Sequence, residues 1–216
     1  MTGKKAVKDM RSEKPLRLMK NTIICIFFIF LLCSPLNGAT QYENNDPWPR
    51  TVQDDLKLPV TVHSEPFRIV SLAPSNTEVL FALGLDDRIV GVTEYCNYPD
   101  GALDKEKIGG FSTVSIEKVV ALRPDLVVAS SGNNQDTVER IKSLGVPVYF
   151  ADVESLNGIY ATFEKLGYIT GTYEKASEII SGLKIREDKV RKEGEAFVKK
   201  PVVAHVIWHD PIYESG

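Results

Sequence analysis

Three places in this 216-residue chain hold side chains whose types and spacing could do chemistry. The first is Pro74-Ser75-Asn76-Thr77-Glu78. Ser75 followed three residues later by Glu78 has the spacing of a capping box. In it the hydroxyl accepts from the Glu78 amide and the carboxylate reaches back to the Ser75 amide. The remaining amides then sit at a helix N-terminus, a setting for an anion or a polar ligand group. The same residues also read as a well-capped helix and nothing more. The second place is His209-Asp210. Neighbours in an extended chain point to opposite sides and no nucleophile accompanies this pair, so acid–base catalysis is not expected of it. The third is Glu117, in the first turn of a short helix, where an acid stabilises the helix dipole by about 0.3–1 kcal/mol.

Metal and nucleotide chemistry lack their patterns. There is no CxxC or HExxH, and His63, His205 and His209 are scattered, so no metal site is expected. No GxGxxG follows Leu72, and no P-loop lysine is present.

The elements that would position these residues follow from hydrophobic periodicity. Arg68 to Leu72, Ile89 to Val92, Leu126 to Ala129 and Val148 to Phe150 read as buried strands. Ser75 to Leu83, Ser115 to Leu122, Asn134 to Leu144 and Leu156 to Tyr168 read as helices, closed by Gly84, Pro124, Gly145 and Gly171. Tyr95 to Ile108 reads as a loop. Alternating strands and helices imply right-handed crossovers and a mostly parallel sheet, so the fold class is α/β, a Rossmann-like lobe. Residues 40–50 read as a polar linker and Thr51 to Val62 as a small hairpin. Thr172 to Lys199 is the longest helical pattern; about 28 residues would span roughly 42 Å. Pro201 ends it, and residues 201–207 open a fresh strand close to Gly216. The expected organisation is a linker and hairpin at 40–67, an N-terminal α/β lobe at 68–171, a long inter-lobe helix at 172–200, and the start of a truncated second α/β lobe at 201–216.

Residues 1–39 differ in composition. Seven Lys/Arg face only Asp9 and Glu13, and the ten apolar residues from Ile23 to Leu32 follow. This is the layout of a signal sequence. Its apolar core is shorter than the roughly 20 residues that a spanning helix needs. Met19 opens a tidier version and is the expected true start. Cleavage after Ala39 and lipid modification at Cys33 are alternative maturations. Setting this segment aside leaves Cys96 as the lone cysteine, so no internal disulfide is expected. It also leaves a formal net charge near −8, which argues against nucleic-acid binding. Hydrophobic content of 43% and charged content of 25% exclude global disorder and a multispan membrane protein.

Taken in order, RIVSLAPSNTEVLFALG (68–84), VGVTEYCNYP (90–99) and IGGFSTVSIEKVVALRPDLVVAS (108–130) resemble the first lobe of the periplasmic binding proteins for cobalamin and iron-siderophores. SLAPSNTE together with YCNYP is most similar to the cobalamin branch. The resemblance covers residues 68–216. It implies two lobes joined by one long, rigid helix and a ligand held between them. It also implies no catalysis and no cofactor, a corrinoid being the transported ligand. The implied partners are an ABC permease and ATPase complex. The implied location is extracytoplasmic, in a periplasm or at the outer face of the cytoplasmic membrane. Membrane contact would run through the permease or a lipid anchor at Cys33.

For individual residues the resemblance implies ligand contact at Tyr95, Phe111 and Tyr213, with Pro74, Ser75 and Asn76 forming a ligand-facing loop. Phe111 stands where the family often has Trp. Ser130 stands where some members carry another Trp, which removes one stacking wall. Glu117 would dock onto permease arginines. The implied function is capture of cobalamin or a related corrinoid, with a siderophore or haem as the alternative ligand. An exported α/β enzyme and a membrane-tethered signalling module are the alternatives from other classes. A single lobe is expected to bind weakly and to expose apolar surface along its long helix.

Overall fold

The apolar runs become strands for the reason their sequence suggests: side chains on both faces are buried, so the runs carry no polar alternation. In the computed structural model these are β3 (Ile69–Ser71), β4 (Ile89–Val92), β6 (Leu126–Ser130) and β7 (Val148–Ala151). The structure describes residues 42–43, 45–197 and 202, and the backbone of 206–209 and 212–214. The signal sequence, its Met19 start and Cys33 lie outside the described residues.

A two-residue strand β5 (Glu106–Lys107) joins the sheet, which is parallel throughout and ordered β5-β4-β3-β6-β7. β5 falls inside the stretch read as loop, because two residues are too few to show a period. Successive side chains alternate between two cores. Ile69, Leu126, Val128 and Tyr149 enter one, and Val70, Val127, Ala129 and Val148 enter the other. The helices α1 (Pro74–Ala82) and α4 (Leu156–Thr170) cover the first face through Leu80, Phe163 and Leu166. The helices α2 (Ile116–Ala121) and α3 (Gln135–Ser143) cover the second through Val119, Val138 and Ile141.

The N-terminal hairpin β1 (Arg50–Gln53) and β2 (Pro59–Val62) is antiparallel, and Val52, Val60 and Val62 enter the first core. Its turn caps the edge strand β7, where the Asp55 amide donates to the Phe150 carbonyl at 3.0 Å. Residues 40–50 read as a polar linker, yet Tyr42 and Trp48 pack on the same core. Arg50 is buried between the rings of Trp48 and Tyr168 and donates to the Tyr168 carbonyl at 2.7 Å. The polar composition concealed these two aromatic anchors.

The helix α4 ends at Gly171, whose φ of 77° allows the sharp turn into α5 (Tyr173–Glu195). The α5 helix has 23 residues, five fewer than its periodicity suggested. The two helices lie together, and the Tyr160 hydroxyl donates to Glu187 at 2.7 Å. Farther along α5 the apolar side chains lose cover: Ile185 is 71% exposed and Val190 67%. A second antiparallel hairpin, β8 (Val206–His209) and β9 (Ile212–Glu214), follows.

Candidate functional site

The chain order of the sheet determines where a site can form. From β3 the chain winds outward through β4 and β5 on one side, then returns to β6 and β7 on the other. Adjacent loops after β3 and β6 therefore diverge to opposite faces and leave a crevice at the carboxyl ends of the strands. A cavity of 820 Å³ lies there. The first turns of α1 supply Ser75, Asn76, Glu78 and Val79. The end of β6 supplies Ser130, and the loop after it supplies Ser131 and Gly132. The end of β7 supplies Ala151, Asp152 and Val153, and Phe163 closes the apolar side from α4. The size falls within the range of about 300–1,000 Å³ that is usual for small-molecule sites.

The helix start differs from the capping box expected of the sequence. Ala73 is the N-cap, and it makes no side-chain cap bond. The helix starts early because Pro74, with its preset φ and no amide, suits the N1 position. Ser75 is then already inside the first turn, where its hydroxyl cannot cap. No side chain replaces it as a cap: the Thr77 hydroxyl lies 2.8 Å from Ser71 Oγ and donates to the Ala73 carbonyl at 3.1 Å, and the Thr77 amide donates to that carbonyl at 3.0 Å as the first intrahelical bond. Freed from capping, Ser75 and Glu78 line the cavity.

The expected ligand residues fall in different places. Phe111 and Ser75 line the cavity. Asn76 also borders it but is 3% exposed, and its side-chain amide donates to the Ala129 carbonyl of β6 at 3.1 Å. It ties α1 to the sheet. Pro74 opens the helix and is not part of the lining. Tyr95 is 63% exposed and stands beside Gly110, outside the lining, whereas Tyr98 borders the cavity. Cys96 separates the two tyrosines and is fully buried, its thiol within 3.2 Å of the Thr77 and Thr93 hydroxyls. Tyr213 falls in β9, where only the backbone is described.

Sequence reasoning gave no ligand role to Tyr98, Glu78, Asp152, Ser131 or Thr162. Their direction into the crevice depends on loop paths that carry no period. Asp152 is placed by Asp55, whose carboxylate accepts from the Asp152 amide at 2.9 Å and pairs with Lys165 at 2.9 Å. Beneath it, burial holds the Tyr149 hydroxyl far above its ordinary range, so it stays neutral. Among the described residues, Glu78 and Asp152 are the acidic side chains of the lining, and none of its side chains is Lys, Arg or His. Among the described residues no group of three His, Cys, Asp or Glu could hold a metal ion.

Glu117 lies outside the cavity, in the first turn of α2. Its own backbone amide, followed by the Ser115 hydroxyl at 3.0 Å, holds its carboxyl below the usual carboxylate range. Its charge therefore persists as pH falls into that range.

Comparison with known proteins places this geometry. A family profile described as periplasmic binding protein matches residues 69–210. The uncharacterized ABC transporter substrate-binding lipoprotein YvrC of Bacillus subtilis is 34% identical over 181 residues, covering 81% of this chain and 57% of that protein. The crystal structure of the periplasmic vitamin B12 binding protein BtuF of Vibrio cholerae superposes with a TM-score of 0.63 at 30% identity, covering 68% of this chain and 58% of that one. The periplasmic haem-binding protein BhuT, solved with two haems, gives 0.61 at 26% identity, covering 66% and 57%. The chain thus spans little more than half the length of these relatives.

Proposed function

This chain belongs to the periplasmic binding protein family, and we propose that it captures cobalamin or a related corrinoid outside the cytoplasm and delivers it to an ABC permease and ATPase complex. The observation that carries the choice of ligand is the charge of the cavity: Glu78 and Asp152, with no basic side chain among the described residues of the lining. Haem propionates and most ferric siderophores are anionic. Setting them against two carboxylates adds like-charge repulsion, which can reach several kcal/mol in a desolvated contact. A corrinoid rimmed with neutral amides meets no such repulsion, and its N–H groups can donate to carboxylates and to the hydroxyls of Ser75, Ser130 and Ser131. Phe111 and Tyr98 offer aromatic surface to its apolar parts. Haem or a siderophore is the second reading, kept open by the haem-binding relative. Binding and release require no nucleophile, and no catalytic role is assigned to any residue.

Titration of the purified full chain, at the high concentrations that the weak binding expected of a single lobe requires, separates these readings. Cyanocobalamin is expected to give calorimetric heat and a shift of its visible bands, and hemin to bind far more weakly. Heat from hemin alone would replace the corrinoid reading with the haem reading.

Glu117 is the proposed contact with the permease. It is ionised, exposed and remote from the ligand cavity. Glu117→Gln should leave ligand affinity unchanged and weaken association with permease-containing vesicles. The wild-type association should fall as salt rises, because the Debye length shrinks from about 10 Å at 0.1 M to about 3 Å at 1 M. Association that is equal for both chains and indifferent to salt would remove Glu117 from the interface.

A further inference from the structure

The loop that carries Phe111 is closed at its base, where Gly109 pairs with Val114 and accepts from the Glu94 amide at 2.9 Å. Phe111 lies within that closed loop, after Gly109-Gly110, and Gly109 has a φ of 109° that favours glycine. A further hold on Phe111 comes from the loop after β6. The side chain of Asn133 is 4% exposed and bridges three separate segments. Its amide nitrogen donates to the Phe111 carbonyl at 2.8 Å and to the Leu72 carbonyl, at the end of β3, at 2.8 Å. Its oxygen accepts from the Ser130 amide, at the end of β6, at 2.8 Å. Both donors of a side-chain amide are thereby used, and its acceptor is engaged. The three bonds lock together the ends of the two strands that flank the crevice and the aromatic wall that faces it.

Gly132 completes the arrangement by what it lacks. A Cβ built there would lie 1.9 Å from Phe111 Cε1 and 2.2 Å from Cζ. The ring therefore occupies the space that any other residue would take. The φ of Gly132 is not among the positive values, so alanine fits its backbone and only the ring stands in the way. Phe111, Ser130 and Gly132 all line the cavity.

We propose that Asn133 and Gly132 are positioning residues that fix the Phe111 ring as a shape-determining wall of the ligand cavity, Asn133 by its hydrogen bonds and Gly132 by its missing side chain. The importance of that wall for ligand choice rests on the capture reading above; its fixation by these residues does not.

The test follows Phe111 directly. The full chain is prepared with labelled phenylalanine, and the Phe111 ring signals are assigned by their loss in Phe111→Leu. Gly132→Ala and Asn133→Ala are each expected to shift those signals and abolish the ring's proximity to residue 132. Both should also weaken cyanocobalamin binding about tenfold. Asn134→Ala serves as the structural control. It removes the side chain that caps α3 by accepting from the Thr137 amide at 3.1 Å, and so destabilises the same loop without touching Phe111. It should lower the melting temperature and leave the Phe111 signals in place. If Gly132→Ala does not fold, Asn133→Ala carries the test alone. Unchanged Phe111 signals in Asn133→Ala, or an equal shift in Asn134→Ala, would overturn the proposal. Displacement of Phe111 in the variants, with a wild-type chain that itself shows no cyanocobalamin binding, would uphold the clamp and refute the corrinoid reading.

Discussion

Asn76→Ala is expected to lower the free energy of unfolding by about 1–3 kcal/mol, the cost of leaving a buried polar group without its partner. The Asn76 side chain is almost wholly out of solvent, and its amide reaches across from α1 to the Ala129 carbonyl of β6. Alanine leaves that carbonyl without its side-chain donor. Ser75→Ala, one residue earlier and exposed to the cavity, should stay within about 0.5 kcal/mol of wild type. Urea denaturation reads both, and an unchanged slope would confirm that stability rather than the denatured state has moved. Equal midpoints for the two variants would mean that the Asn76 amide contributes nothing net. The comparison also has a functional edge. Asn76 borders the cavity, but its donors face the sheet, so its removal should reduce ligand affinity only as far as α1 itself shifts.

The same helix shows what sequence can and cannot disclose. Leu80 and Leu83 recur at helical spacing and are buried, as their type and period require. The strands are legible for a similar reason. Val127 and Val128 face opposite cores, so the run needs no polar residue, and an uninterrupted apolar stretch of this length between turn signals indicates a covered parallel strand. Glycines at 84, 145 and 171 mark helix ends because their φ values of 75°, 82° and 77° are ones that few other residues adopt. Direction within loops has no such rule. Ser75 and Glu78 have the spacing of a capping box, but with Pro74 at N1 the cap falls on Ala73, two residues earlier, and both side chains line the crevice. Tyr95 and Tyr98 are equally aromatic and lie one and two residues from Cys96. Only the path of the loop places Tyr98 at the cavity. Asn133 is a further case: nothing local separates it from Asn134, yet one bridges three segments from within the core and the other is an exposed cap. Long-range hydrogen bonds of this kind leave no mark in the neighbouring sequence.

Reversing the charge of the cavity is expected to have the largest effect on ligand choice. In a Glu78→Lys, Asp152→Lys double variant the lining would hold two cations in place of two carboxylates. Both positions are exposed and cannot contribute the full interaction of a buried pair. With an effective dielectric of about 20 to 80, each contact near 4 Å is worth roughly 1–4 kcal/mol, and exposure favours the lower end. Two such changes should strengthen hemin binding by about ten- to a hundredfold. Cyanocobalamin, neutral at its rim, should lose only the hydrogen bonds it donated to the two carboxylates and so change far less. The backbone should tolerate both changes. The bond from the Asp152 amide to Asp55 does not involve the altered side chain, and Glu78 makes no contact that holds α1 to the sheet. The gain for hemin should shrink steeply between 0.1 M and 1 M salt, whereas a gain from added apolar contact would survive. If hemin affinity stays where it was while cyanocobalamin binding disappears, the two carboxylates are direct and specific ligand contacts, and charge exclusion is not what selects against anionic chelates. If both ligands keep their wild-type affinities, selection lies elsewhere, in the shape set by Phe111 and the loop that holds it.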